Sequence, residues 1–239
     1  MGYLTAIPIY NEEAHLDEVL SEVLRHTRDV LVVDDGSTDQ TPARLRRFPT
    51  IQVVRHPSNR GYGAGLKTAF EYTIRNGYDG LVTLDCDGQH EPSRIRELAA
   101  RLEDADLVSG SRYLQRFDPN QRPPEDRRRI NVEVTRWLNS RLGLKLTDAF
   151  CGFKAYRTTA LKRFEITEDG YAMPLEVWVQ AVRHHLKIVE VPVPLIYLDE
   201  KRAFGGALDD SDYRLRHYRE VFERALARAG LDRSPRCGR

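Results

Sequence analysis

Residues 80–90 read Gly80-Leu81-Val82-Thr83-Leu84-Asp85-Cys86-Asp87-Gly88-Gln89-His90. The apolar run at the start predicts a buried strand over 80–85, and the Asp85-x-Asp87 pair falls where that strand leaves its sheet. Two aspartates one residue apart are common in turns, and Asp87-Gly88 is a favourable turn dipeptide. Just beyond a strand, however, both carboxylates can face one hard divalent cation. Such a cation prefers oxygen ligands and keeps positions open for water and phosphate oxygens. The pair therefore reads as a site for a metal-bound diphosphate, with a plain strand-ending turn as the alternative.

Outward from this stretch, apolar runs and helical patterns alternate. Strands are predicted over 3–8, 30–34, 51–55, 80–85 and 106–110, and helices over 13–25, 42–48, 64–76 and 93–103. Thr41-Pro42 reads as a helix cap followed by proline at the first helical position. A βαβαβαβαβ order implies an α/β fold: a mostly parallel sheet with helices on both faces. Ligands of such sheets lie outside the carboxyl ends of the strands. Four polar segments fall on that edge: 8–12, 34–37, 85–87 and 109–112. Their convergence on one crevice is the strongest functional signal in the chain.

The second half is less regular. Residues 115–126 form a Pro- and Arg-rich loop, 147–157 a glycine-centred segment, 174–185 a helix, 187–193 a strand and 210–229 a terminal arginine-rich helix. Residues 127–142 read as an amphipathic helix, with Val134, Trp137, Leu138 and Leu142 on one stripe and Arg128, Arg136 and Arg141 around it. That helix either packs on the core with a solvated basic face, or sets Trp137 and Leu138 at a membrane interface where the arginines meet lipid head groups.

The chain has 239 residues, 41% of them hydrophobic, enough for one α/β domain with an elaborated end. Its 37 basic and 36 acidic residues nearly balance, which excludes a global attraction to nucleic acid. No run approaches the roughly 18 apolar residues of a membrane span, and no signal peptide opens the chain. The three cysteines, Cys86, Cys151 and Cys237, fit neither a zinc site nor a disulfide framework, so a cytoplasmic setting is the reading. Glycines 61, 63 and 65 read as close-packing residues beside the ligand rather than a phosphate loop. His90, His184 and His185 lack metal-site spacing and are placed on loop and helix surfaces.

Taken in order, Pro8-x-Tyr10-Asn11-Glu12, Val33-Asp34-Asp35-Gly36-Ser37-x-Asp39, Asn59-x-Gly61-x-Gly63, Asp85-x-Asp87-Gly88-Gln89-His90 and Ser109-Gly110-Ser111-Arg112-Tyr113 resemble the family 2 glycosyltransferases. Within that family the likeness is greatest to the dolichyl-phosphate mannosyltransferase and polyprenyl-phosphate glucosyltransferase branch. Asp148-x-x-x-Gly152-Phe153-x-x-Tyr156-Arg157 and Glu190-Val191-Pro192-Val193 extend it over residues 3–206. The resemblance implies a GT-A, Rossmann-like sheet with a C-terminal acceptor-side elaboration. One domain would span 1–230, with a nucleotide-sugar half over 1–113, an acceptor half over 114–206, a C-terminal helix over 207–230 and a basic tail over 231–239.

The same resemblance implies that Pro8, Tyr10, Glu12, Val33 and Asp35 hold the nucleoside, while Asp85, Asp87 and Gln89 hold Mg²⁺ or Mn²⁺. Asp85, Cys86 and Asp87 would line the donor diphosphate, and Arg112 would contact a phosphate of donor or acceptor. Arg202, in Lys201-Arg202-Ala203-Phe204-Gly205-Gly206, stands near the family's basic residue before a Gly-Gly pair, at altered spacing. Asn131-Val132 replaces the family's usual Ser-Arg pair.

The implied reaction is an inverting, metal-dependent transfer of mannose or glucose from a GDP- or UDP-sugar to polyprenyl or dolichyl phosphate, with peripheral membrane contact or a membrane partner subunit. A phosphate acceptor attacks as an anion without a base. A soluble or protein hydroxyl acceptor would need one, Asp148 being the first candidate and Glu176, otherwise a partner of its helix dipole, the second. A nucleotide-sugar-binding module without turnover is the remaining alternative.

Overall fold

The computed structural model describes residues 2–118, 120–197 and 205–232. Arg202 and Cys237 lie outside the described residues. Seven strands form one sheet in the order β3-β2-β1-β4-β6-β5-β7. They are β1 (Tyr3–Ile9), β2 (Val30–Asp34), β3 (Gln52–Arg55), β4 (Gly80–Thr83), β5 (Leu107–Ser111), β6 (Lys154–Arg157) and β7 (Ile188–Pro192). The α-helices are α1 (Leu16–His26), α2 (Thr41–Leu45), α3 (Tyr62–Arg75), α4 (Ile95–Ala100), α5 (Glu125–Leu142), α6 (Thr158–Leu161), α7 (Met173–Arg183) and α8 (Ser211–Ala229).

The central strands are apolar without alternation because both faces are covered. Leu4, Ala6, Leu31, Val33 and Leu81 join the core cluster under α3, α5, α7 and α8. Ile7, Ile9, Val30, Val32 and Val82 join the cluster on the other face, under α1, α2 and α4. The period-2 pleat sends alternate side chains to opposite clusters.

The alternating first half folds as the sequence predicts, with shifted ends. The 93–103 helix is a composite: 3₁₀ turns over Pro92–Arg94 and Arg101–Glu103 flank α4. Asp210 caps α8, its carboxylate accepting from Tyr213 N at 2.6 Å.

The difference that matters is β6. The glycine-centred segment 147–157 ends in a strand inserted between β4 and β5, antiparallel to both. Four residues, one of them a buried lysine, carry too little apolar pattern to be read as a strand. Lys154 is buried at 3% exposure, donates to Ser109 Oγ at 2.9 Å and to the Cys151 carbonyl, and lies 4.9 Å from the Trp178 ring. Burial lowers its pKa. Because β6 runs backwards, its first residue pairs with Thr83 and Ser109 at the carboxyl ends of β4 and β5. The turn 148–153 is thereby brought to the ligand edge of the sheet.

α5 takes the packed alternative. Leu138 is fully buried, Ile130 and Val134 share its cluster, and Arg219 of α8 covers the Trp137 ring at 5.6 Å. Leu138 is thus a core residue under α8 and Trp137 is half-buried beside it, which favours the packed alternative for this helix.

Candidate active site

The loops after β1 and β2 are stitched together by short polar side chains. Asn11 adopts a left-handed φ of 55°, and its Oδ1 accepts from Thr38 N at 2.8 Å while its own N–H donates to Ser37 Oγ at 2.9 Å. Glu12 N donates to Thr41 Oγ1 at 2.9 Å. This holds Tyr10 beyond the strand end at 43% exposure, free to stack on a planar ligand.

Asp35 is only 4% exposed and organises the segment that leads into α3. Its carboxylate accepts from Arg60 N at 3.0 Å and Gly61 N at 2.7 Å, and His56 Nδ1 lies 2.6 Å away. Gly61 has a φ of 107°, and a Cβ there would approach the Asp169 carbonyl carbon to 3.1 Å. Gly61 and Gly63 therefore pack against the 168–169 backbone, as close-packing glycines do.

The Asp85–His90 loop is ordered by its own backbone. Asp85 N donates to His90 Nδ1 at 3.0 Å, and Gln89 N donates to Asp87 Oδ1 at 3.0 Å. His90 is a buried anchor packed against Phe153, ring centroids 5.3 Å apart, which corrects its surface assignment. Tyr62 donates its hydroxyl to Asp85 Oδ1 at 3.1 Å. Burial, aided by the Asp85 charge, pushes the Tyr62 phenol well above its ordinary pKa, so it remains a donor.

The turn before β6 touches both halves of the site. Thr83 Oγ1 donates to the Gly152 carbonyl at 2.9 Å, and a Cβ on Gly152 would lie 2.9 Å from Asp85 Cγ. Glycine is required for the Asp85 carboxylate to occupy that space. Asp148, fully buried, takes a two-pronged ion pair from Arg112, Nε to Oδ2 at 2.7 Å and Nη2 to Oδ1 at 2.8 Å. Asn131 Nδ2 adds a third bond at 2.7 Å. Burial raises the Asp148 carboxyl, but Arg112 and Asn131 outweigh it and hold the group well below the usual carboxylate range. Burial lowers the Arg112 guanidinium, and the Asp148 charge more than restores it.

Together these elements enclose a cavity of about 370 Å³. Pro8, Tyr10, Glu12 and Asp35 line one end, and Asp85, Cys86, Asp87 and Gln89 line it further along, with Arg112. Val33 does not reach it: its side chain belongs to the core between the sheet and α3. Asp148 does not line it either, and its oxygens are saturated by Arg112, Asn131 and backbone N–H groups. As a candidate base it is corrected to a positioning residue for Arg112. Glu176 also lies outside the cavity, accepting from Thr167 N at 2.8 Å, Thr167 Oγ1 at 2.9 Å and Glu168 N at 2.8 Å.

Several cavity residues carried no sequence signal. Arg127 comes from α5, and Arg214 and Tyr218 come from α8, these last two more than a hundred residues from Asp87; Asn131 of α5, the departure from the family's pair, lines the cavity as well. Arg214 is 3% exposed, donating to the Leu208 carbonyl at 2.7 Å and to Asp126 at 2.9 Å. Arg128 lies 3.8 Å over the Tyr113 ring. The cavity is accordingly bipolar, with carboxylates at the β1–β2–β4 end and arginines interleaved with tyrosines at the α5–α8 end.

A divalent cation fits the carboxylate end. Asp85, Asp87 and Gln89 offer hard oxygen donors, and the missing Cβ of Gly152 leaves a cradle for the Asp85 carboxylate. Among the described residues no group of three or more His, Cys, Asp or Glu side chains gathers, so the protein alone would not complete a coordination shell. Diphosphate oxygens and water would complete it, the habit of Mg²⁺-type sites.

Residues 5–164 match the model of the family described as Glycosyl transferase family 2. The chain is 32% identical to an undecaprenyl-phosphate mannosyltransferase of Micrococcus luteus over 225 residues, 88% of this chain and 91% of that protein. It is also 32% identical to a polyprenol monophosphomannose synthase of Mycolicibacterium smegmatis, over 80% of this chain and 76% of that one. A UDP-N-acetylglucosamine–dolichyl-phosphate N-acetylglucosaminyltransferase of Methanococcus voltae is 27% identical, over 83% of this chain and 87% of that protein. In fold it is similar to glucosyl-3-phosphoglycerate synthase from Mycobacterium tuberculosis, solved with Mn²⁺ and UDP-glucose, at 21% identity and a TM-score of 0.71 over 98% of this chain and 80% of that one. The chain belongs to glycosyl transferase family 2 and is a glycosyltransferase with the GT-A fold.

Proposed function

We propose that the chain moves a hexose, mannose or glucose, from a nucleoside-diphosphate sugar to a polyprenyl phosphate, with inversion at the anomeric carbon. The observation that carries this reading is the bipolar cavity, whose carboxylate end suits a metal-bound diphosphate and whose arginine end suits a second phosphate. The names of the two relatives at 32% identity support the same acceptor.

In this reading Tyr10 and Asp35 bound the nucleoside pocket, and Asp85, Asp87 and Gln89 hold Mg²⁺ or Mn²⁺. That cation supplies Lewis-acid charge for a departing nucleoside diphosphate. Arg112, aimed by Asp148 and Asn131, stabilises phosphate charge from the far side, and one such preorganised donor contributes on the order of 10²–10³-fold in rate. The acceptor phosphate attacks as an anion, its second pKa being about 6. No base is then required, which agrees with both candidate bases, Asp148 and Glu176, being tied up in hydrogen bonds away from the cavity.

The test is incubation of the purified chain with labelled GDP-mannose or UDP-glucose, Mn²⁺ and polyprenyl phosphate. Lipid-linked product with one donor is expected. Its absence with both sinks the proposal, and transfer to a soluble hydroxyl instead assigns the other acceptor class.

A further inference from the structure

One aromatic pair in the cavity wall has no role in the scheme above. Tyr62 and Tyr171 stack with ring centroids 5.7 Å apart and planes 14° apart, and both line the cavity. The Tyr62 hydroxyl is bonded to Asp85, and Tyr171, in an offset stack on Tyr62, keeps 39% exposure. Tyr171 also lies near Tyr218 of α8. Burial pushes Tyr218 up to about 12, Arg214 opposes this, and Tyr171 adds to it.

The pair is rigidly mounted. Ala64 N, in the first turn of α3, donates to the Asp169 carbonyl at 3.1 Å, and Lys67 pairs with Asp169. Gly61 and Gly63 let the 168–169 backbone approach closely, and Glu176 holds Thr167 and Glu168 from α7. Tyr171 is therefore a firmly mounted ring of the cavity wall, one stacked ring away from the Asp85 carboxylate.

We infer that Tyr171 is the platform for the donor's sugar ring, with Tyr62 coupling that platform to Asp85. The inference deepens the proposed function and rests on it. A nucleoside held at Tyr10 and Asp35, with its diphosphate at Asp85 and Asp87, must place the group on its distal phosphate just past Asp85. The aromatic side chain hydrogen-bonded to that carboxylate is Tyr62, and Tyr171 stacks on it. A hexopyranose presents a face of several C–H bonds with partial positive charge, and an aromatic face is negative, so the two attract while the sugar hydroxyls stay with polar neighbours. A bare nucleoside diphosphate carries no sugar beyond its distal phosphate and so gains nothing from Tyr171.

Calorimetry on the full chain with Mn²⁺ separates the two ligands, using GDP against GDP-mannose and UDP against UDP-glucose. For the pair that wild type binds, Tyr171→Ala is expected to weaken the sugar nucleotide roughly five- to ten-fold while leaving the diphosphate within about two-fold. Tyr171→Phe, which keeps the ring, is expected to retain wild-type discrimination. Equal loss for both ligands, no loss for either, or a Phe variant as damaged as Ala would each overturn the platform while leaving the proposed function standing. A wild type that binds neither pair overturns the donor-site reading and the platform with it.

Discussion

At the residue scale the site depends on contacts one atom wide. Gly152 is glycine because the Asp85 carboxylate occupies the space of a side chain. Gly152→Ala should displace that carboxylate at a packing cost of about 1–3 kcal/mol, and calorimetry should show at least a ten-fold loss of Mn²⁺-dependent nucleotide affinity. Unchanged affinity would mean Asp85 is not a ligand. Asp87→Ala should abolish metal-dependent donor binding with the circular dichroism spectrum intact. Asp148 makes a prediction in pH. Its folded pKa is depressed, so the Arg112 pair contributes stability that is complete above the unfolded value of about 4 and drains away as pH falls toward the folded value. Breaking such a buried pair costs about 3–5 kcal/mol. Urea midpoints of wild type and Asp148→Asn should therefore differ at pH 7 and converge in acid; parallel curves would remove the pair from the account. The Asp85-x-Asp87 pair was legible as a candidate from type and spacing, and the fold places both residues on the cavity wall. The roles of Asp148 and His90 were not, because a carboxylate or imidazole reads the same whether it faces solvent or a buried partner.

At the element scale, the strands with wholly apolar runs were legible and the short antiparallel one was not. β6 sits in the sheet by pairing on both edges and by a satisfied buried lysine, neither of which leaves a periodic trace. The helix α5 shows the opposite case, where a clear amphipathic stripe left its partner undefined. Its apolar side meets the core and α8. Leu138→Ala should cost about 2–5 kcal/mol in chemical denaturation, and Trp137→Ala should leave vesicle flotation unchanged; reduced flotation would return α5 to the membrane. In α7, Glu176 accepts hydrogen bonds from residues 167 and 168. Glu176→Gln should lower Tm but reduce kcat far less than the 10²–10⁴-fold typical of a lost general base.

At the scale of the whole molecule, one sheet with both faces covered carries both the carboxylate end and the arginine end of the cavity, and α8 lines it from a distant part of the chain. Deleting α8 would bare Val221, Phe222 and Leu226 of the shared core. We expect the described chain to unfold in one cooperative transition, and two separable transitions in calorimetry would divide the proposed single domain. Among the described residues no helix is long and apolar enough to cross a membrane. What the sequence by itself determined was the set of groups and their order: parallel strands, four of them releasing a polar segment at the carboxyl end, and an acidic pair suited to a hard cation. Those follow from local chemistry, namely hydrophobic runs, glycine and aspartate in turns, and oxygen donors for a divalent ion. Only the tertiary structure decided which groups act together. Arg112 is aimed by Asp148 and Asn131, Asp85 is seated against Gly152, and Arg214 arrives from another helix. The first two pairings depend on a strand running backwards between two others, and the third on a helix packed across the sheet from a distant part of the chain, geometries that no local pattern encodes.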